Sequence, residues 1–489
     1  MYRIIKRWIW LFLFIYVIYL CVHGIDKNSA IYNLIHIFSN VNNFLILVYA
    51  ALFSVVFIFY QRHKKHFDTG SFLYLVYVMG GVGACWYYAQ DKVELFYPNI
   101  QIAPLLYLFF TINICLAPLW KANFSSLHNI DDKGMVDIYN ALSFMFFALS
   151  ILPFISLLLH FSVGQLVGSN LANMYETSGD KAALFFSGPS KLCFALIRRF
   201  EMLVIVLLFY QLSKHNTKYV YMLIVPIVVF TLFKLLSGSR GGLVGTGLLL
   251  VTLFLTIKQT LSLKVRKTVI KVGVVASCFF ALALAAISIS RFSQNTNKEV
   301  TIDVWISQYM GEAIPRFSDD VWDVKTLLGG NQNFIFLRKL LGLPYIEDYD
   351  VYKALYEIKL GTPVDVFYTF MGDIYLDFGT IGGIIFATIF ALIFSRFLNV
   401  KNDISIPTLT SLCLFFNLLG FGFTANVYRT IFIQENIMWQ IFAILALYAI
   451  QHVRKQGNIP PPISEITLWD SLEFQPSFNR LIPFKVCAL

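Results

Sequence analysis

Hydrophobic residues run through this chain in blocks about as long as a bilayer is thick, divided by short polar stretches. A membrane-crossing helix needs about 20 predominantly apolar residues. Blocks of that kind fall near 8–23, 41–60, 71–90, 100–120, 139–161, 192–212, 219–236, 241–257, 268–288, 379–397, 406–424 and 430–450. The pattern predicts an all-α fold, a polytopic membrane bundle of about 12 transmembrane helices spanning residues 1–450. The first block follows Arg3, Lys6 and Arg7, and no small-residue cleavage site comes after it, so it reads as a retained anchor. The stretch 22–40 leaves room for an interfacial helix.

Loop charges orient the bundle. With the N-terminus inside, the cytoplasmic loops hold Arg62, Lys64 and Lys65; Lys121 and Lys133; Lys214 and Lys218; Lys258, Lys264, Arg266 and Lys267; Arg396 and Lys401; and Arg454 and Lys455. Each of these loops carries at least two Lys or Arg, as short cytoplasmic loops do. Both termini are then cytoplasmic. The remaining loops face outward, and two are long, 162–191 and 289–378. In the longer one, Phe334 to Leu341 reads as a short helix ended by Gly342 and Pro344. A second helix, capped within Asp348–Asp350, carries Val351, Ala354, Leu355 and Ile358 at helical spacing and stops at Gly361 and Pro363. The loop is therefore expected to fold as a small helical cap on the outer face. Residues 451–489, with Pro460–Pro462, have no period and read as a poorly ordered cytoplasmic tail.

Composition agrees with this class. The 489 residues are 58% hydrophobic and only 13% charged, with a mean hydropathy of +0.68. The net charge of +10 does not point to nucleic acid, because the basic residues sit mainly in short loops. The seven Cys are scattered, with none between Arg291 and Asp365, so the large loop has no disulfide or metal knuckle. The eight His also avoid that loop, which argues against a zinc site or a histidine base there. No P-loop is present, so ATP is not the expected energy source.

The informative charges are arginines on the side where arginines are scarce: Arg198, Arg199, Arg240, Arg291, Arg316, Arg338 and Arg429. Phe200 to Leu212 is only 13 residues, about 20 Å of helix. The span must therefore begin before Arg198 and Arg199, which places them in or at the membrane, where a charge usually faces a cavity or a partner. Glu201, one turn on from Arg198, offers an ordinary ion pair. Arg240 stands in Ser237-Gly-Ser-Arg240-Gly-Gly at the start of an inward-running helix, where free N–H groups and the helix dipole favour an anion. The plain alternative is a tight turn with an interface-anchoring Arg. Arg429 also precedes an inward-running helix. Carboxylates available on the same side for general-base work are Glu176, Asp180, Glu312, Asp319, Asp320, Asp365, Asp373 and Asp377. Each has a structural alternative as a helix cap or ion-pair partner.

Three stretches resemble the bacterial O-antigen and capsule repeat-unit polymerases (Wzy-type). They are Leu236-Ser-Gly-Ser-Arg240-Gly-Gly; Gln308-Tyr-Met-Gly-Glu312-Ala-Ile-Pro-Arg-Phe317 with Asp320-Val-Trp322 and Gly329-Gly330; and Gly372-Asp-Ile-Tyr-Leu-Asp-Phe-Gly379-Thr-Ile-Gly382. The resemblance implies a multi-spanning glycosyltransferase of the cytoplasmic (inner) membrane with its active site facing the exterior. It implies a substrate of undecaprenyl-pyrophosphate-linked oligosaccharide, no metal and no other cofactor, and a chain-length regulator as partner. For that reaction the residues offer Arg198, Arg199 and Arg240 as pyrophosphate ligands, with Arg316 and Arg429 as second choices and Glu312 or Asp373 as the base. An O-antigen ligase-like transferase and a non-enzymatic flippase for the same lipid-linked sugar are the alternatives. The missing loop histidine disfavours the ligase, and a loop of about 90 residues disfavours the flippase. A dolichol-type transferase would want an acidic pair in the first outer loop, which offers only Asp26.

Overall fold

The computed structural model describes residues 41–90, 93–132, 134–160, 182–237, 239–292, 302–346, 348–361, 367–399 and 402–455. In chain order the helices are α1 (Val41–Lys64), α2 (Thr69–Tyr88), α3 (Val93–Phe96), α4 (Ile102–Leu116), α5 (Val136–His160), α6 (Ala182–Phe185), α7 (Gly188–Arg198), α8 (Glu201–Ser213) and α9 (Thr217–Leu236). They continue with α10 (Arg240–Ile257), α11 (Leu263–Phe292), α12 (Ile302–Gly311), α13 (Ala313–Arg316), α14 (Ile335–Leu340), α15 (Tyr349–Leu360), α16 (Phe370–Leu398), α17 (Ile406–Phe421) and α18 (Ile431–Lys455). Among the described residues the fold is all-α apart from one parallel pair of three-residue strands, β1 (Asn129–Asp131) and β2 (Asp403–Ser405), in register Ile130 to Ile404.

Among the described residues seven helices are long and apolar enough to cross a membrane: α1, α2, α4 with its following turns, α5, α9, α16 and α18. Three shorter apolar helices, Glu201–Ser213, Gly241–Ile257 and Ile406–Phe421, accompany them. The block expected at 268–288 lies within α11, whereas the block at 8–23 and the tail from 456 fall outside the described residues. Two expected spans differ in form. The block at 192–212 is two helices, α7 and α8, parted at Arg199 and Phe200. Three ionisable residues within four positions leave too short an apolar run on either side for one continuous span. The block at 379–397 starts earlier, at Phe370, and breaks at Gly379, whose φ of 66° and ψ of −166° suit only glycine. The helices expected at 334–341 and after Asp348 are present as α14 and α15, and the Asp348 carboxylate accepts from Val351 N–H at 3.0 Å.

Loop contacts divide the bundle into two ends. Lys64 donates to the Trp120 carbonyl at 2.8 Å, and Lys258 donates to the Phe67 carbonyl at 2.6 Å. His128 N–H reaches the Asn402 carbonyl at 2.9 Å beside the strand pair. Lys214 pairs with Asp132 at 2.9 Å, and Arg454 donates to the Gly134 carbonyl. The basic loops assigned to one side by charge therefore meet at one end. Asp68 caps α2 there, buried, in a capping box with Ser71, and receives the Tyr60 hydroxyl at 3.1 Å. Because α8 ends there and α9 starts there, Glu201, the end of α9 and the start of α10 lie toward the opposite end; because α17 leaves β2 there and α18 ends at the Arg454 contact, so do Phe421 and the start of α18.

Candidate functional site

Toward that opposite end, the α7–α8 break carries Arg198 and Arg199. The Arg198 guanidinium lies 5.5 Å from the Phe233 ring and 6.0 Å from the Phe194 ring. Arg199 lies 5.0 Å from the Trp439 ring of α18. Aromatic faces attract both cations by their electron-rich surfaces. Next to Phe233 stands Lys234, whose ammonium bonds Glu201 and, at 2.6 Å, Thr246 Oγ1. Thr246 donates to the Gly242 carbonyl at 3.0 Å, so α8, α9 and α10 are tied together around one ion pair. Glu201, which the sequence offers to Arg198, is thus engaged by Lys234.

The 237–240 turn grows directly from this cluster. Ser237 N–H bonds the Phe233 carbonyl and Ser239 N–H bonds the Lys234 carbonyl, both at 2.9 Å. Ser239 precedes Arg240, which opens α10; the Arg240 side chain lies outside the described residues. The two glycines that follow have packing reasons. A Cβ on Gly242 would stand 2.7 Å from Ser239 Oγ and 3.4 Å from the Lys234 stem, and one on Gly241 would stand 3.2 Å from the Phe421 ring. Arg198, Arg199, Lys234 and the start of α10 therefore share one neighbourhood.

Phe421 leads into a loop that forms a second group. Asp373, fully buried, accepts from Asn426 N–H at 2.7 Å and from Gln332 Nε2 at 3.1 Å, and Arg429 Nη1 stands 3.8 Å from it. One turn on, Asp377 accepts from the N–H groups of Gly330, Gln332 and Asn333 at 2.9, 3.0 and 2.8 Å, and from Asn333 Nδ2 at 2.8 Å. Gly329 and Gly330 have φ of 59° and 90°, which lets the turn fold over that carboxylate. Thr369, the N-cap of this helix, is held at φ 67° and ψ 160° while its N–H bonds the Thr424 carbonyl at 2.8 Å and its hydroxyl accepts from Gly372 N–H. This is strained backbone for a non-glycine residue beside Asp373.

The third group joins the long loop to the α3–α4 segment. Arg316 pairs with Glu312 at 2.5 Å and donates through Nε and Nη2 to the Tyr97 hydroxyl, which donates to Glu312 at 2.9 Å. Asp320 stands 3.9 Å from Arg316, and burial pushes its carboxyl up to about 6 against the pull of that guanidinium. Burial and Glu312 together push the Tyr97 phenol well above its ordinary range. The Arg316 charge is already matched by carboxylates, which leaves it a weak ligand for a further anion.

The structure thus sorts the sequence candidates into three groups: Arg198, Arg199 and the Arg240 backbone; Asp373 with Arg429; and Glu312 with Arg316. Arg338 is spent on the Gly329 and Pro344 carbonyls. Glu176, Asp180, Asp365 and the Arg291 side chain lie outside the described residues. Sequence reasoning missed Lys234, though a lone lysine inside an apolar block is itself a signal. It also missed the amides Gln332, Asn333 and Asn426, which carry no signal until folded together. No family model, curated protein or solved structure matches this chain.

Proposed function

We propose that this protein is a repeat-unit polymerase of the bacterial inner membrane. It moves a growing glycan from undecaprenyl pyrophosphate onto a hydroxyl of an incoming lipid-linked oligosaccharide. In this reading residues 1–450 are the catalytic bundle of twelve spans, made of the seven long helices, the three shorter ones, α11 and the block at 8–23. Residues 289–378 are the exterior cap, both termini are cytoplasmic, and a chain-length regulator is a partner.

The observation that carries the reading is the cationic neighbourhood at the α7–α8 break and the start of α10. The Arg198 and Arg199 guanidiniums lie over aromatic rings, and beside them the first turn of a helix begins at Arg240. A departing pyrophosphate gains negative charge, and preorganised cations with helix N–H groups stabilise it as the bond breaks. The sugar C1–O bond to the diphosphate breaks, a bond from C1 to the acceptor oxygen forms, and the acceptor proton passes to a carboxylate. Asp373 and Glu312 are the candidates for that base, each beside an arginine.

The test is reconstitution of purified protein with a defined lipid-linked repeat unit. A glycan ladder supports the polymerase, and a single transfer onto lipid core or movement across the bilayer without bond formation rejects it. Arg240→Ala should lower turnover by about 100-fold or more. Arg240→Lys should also be impaired, since lysine keeps the charge but not the forked geometry. Full-length polymer from the alanine variant would remove Arg240 from the site.

A further inference from the structure

The short helices α14 and α15 are amphipathic with their aliphatic sides turned outward. On their inner side Ile335, Tyr352 and Tyr356 are buried. Phe334, just before α14, packs its ring on Phe378 at 5.5 Å, and Phe336 N–H bonds Gln434 of α18 at 2.8 Å. The Tyr352 hydroxyl bonds Gln332, which in turn holds Asp373. On the outer side Leu337, Leu340 and Leu341 recur at one-turn spacing, as do Val351, Leu355 and Ile358, and their exposures run from 47% to 85%. Stripes of that spacing normally face a core, and here no described residue covers them.

The neighbouring span shows what does. The Phe334 ring also lies 6.4 Å from Phe386 of α16. Phe386 is seven residues beyond Gly379, about 10 Å along the axis. A ring against it is level with the hydrocarbon of any bilayer that α16 crosses. The outward face of α16 at that height is Ile381 and Ile385, 75% and 53% exposed, so the aliphatic stripes continue a lipid-facing surface. Their rim carries both signs. Lys339 and Lys359 stand 5.7 Å from the rings of Tyr345 and Tyr356, and Lys353 pairs with Glu357 at 3.9 Å. Lysine stems that lie along apolar surface with their heads at the edge suit the polar headgroup layer.

We infer that α14 and α15 lie in the bilayer interface, with Leu337, Leu340, Leu341, Val351, Leu355 and Ile358 in the acyl boundary and the lysines at the headgroups. The segment is then a shelf resting on lipid rather than a lid surrounded by water. Through Tyr352 and Gln332 it sets the height of Asp373 at the membrane surface. The inference rests on the membrane-spanning character of α16, not on the polymerase reading, and its test involves no turnover.

The experiment places single nitroxides on the full chain at Leu340→Cys, Leu355→Cys and Ile358→Cys, with Asp348→Cys as control, after replacing the native cysteines. The protein is reconstituted in vesicles of phosphatidylethanolamine and phosphatidylglycerol, and collisions with oxygen and with a water-soluble nickel chelate are compared. The expected result is oxygen-favoured collision at 340, 355 and 358, unchanged on dilution of the protein in lipid, and chelate-favoured collision at 348. Chelate-favoured collision at all four positions would overturn the inference. Spin–spin broadening at the three stripe positions that disappears on dilution would also overturn it, by assigning the surface to a second copy of the chain.

Discussion

Lys234 and Glu201 form a salt bridge in which each side chain is 20% exposed, inside a segment that is otherwise apolar. Removing one member strands the other charge, and for a pair this enclosed the loss is about 3 kcal/mol. Glu201→Ala should therefore lower the unfolding temperature of the detergent-solubilised protein, and the double variant Glu201→Leu with Lys234→Met should regain most of it. If Lys234 also meets the diphosphate, the double variant will be stable yet poor in polymer synthesis. A stable and fully active double variant would leave the pair a clamp between helices. Asp320 supplies a pH dependence. Its carboxyl ionises near 3.8 in an ordinary setting but only at about 6 in the fold, chiefly through burial. Across that interval rising pH ionises the unfolded chain first, so stability falls between about 4 and about 6 and then levels off. Asp320→Asn should flatten the unfolding temperature across that window. At this scale the charges themselves were legible in the sequence and their partners were not. Arg316 and Glu312 stand four residues apart and can be paired on paper, but nothing in the spacing announces Tyr97 between them.

Among the elements, helix ends were readable wherever a local signal sets them. Asp348 caps α15, Gly361 follows its end at φ 73°, and the charge-bearing start of α10 follows Ser239. Breaks forced by distant packing were less readable. Gly379 looks like one more small residue in an apolar block, yet α16 bends there because Asp377 must stay under the 329–333 turn while the rest of the helix continues with an exposed isoleucine face. Its backbone occupies a region closed to side chains, and an added Cβ would sit 3.3 Å from Leu327. Gly379→Ala should cost about 1–3 kcal/mol. The loss should appear as a lower unfolding temperature with secondary structure retained; an unchanged temperature would mean the bend relaxes at no cost. Of the motif glycines that suggested a family by sequence, Gly329, Gly330 and Gly379 thus have a backbone reason to be glycine. For Gly372 the reason is packing, since a Cβ there would meet the Phe317 ring at 2.9 Å.

For the whole molecule, a rule about lysine and arginine in loops anticipated which loops share an end, because the bias acts on each loop separately and needs no knowledge of packing. The contacts from Lys64, Lys214, Lys258 and Arg454 then tie those loops to one another. What the rule could not supply is the arrangement at the other end, where polar groups lie on elements far apart in sequence. Asp373 and Asn426 are one example, 53 residues apart, and Glu312 and Tyr97 are another, 215 apart. The end-to-end division makes a direct prediction. His215 belongs to the basic end and Asp348 to the long loop at the other, and both are exposed. On a background free of other cysteines, His215→Cys and Asp348→Cys should react with a membrane-impermeant maleimide from opposite sides of sealed, uniformly oriented vesicles. With right-side-out cells, Asp348→Cys should label at once and His215→Cys only after permeabilisation. Labelling of both from one side would break the count of crossings between them. Labelling of His215→Cys alone in intact cells would keep the fold but invert it, and the cationic neighbourhood around Arg198 would then face the cytosol, where a polymerase acting on exported lipid-linked sugar has no substrate.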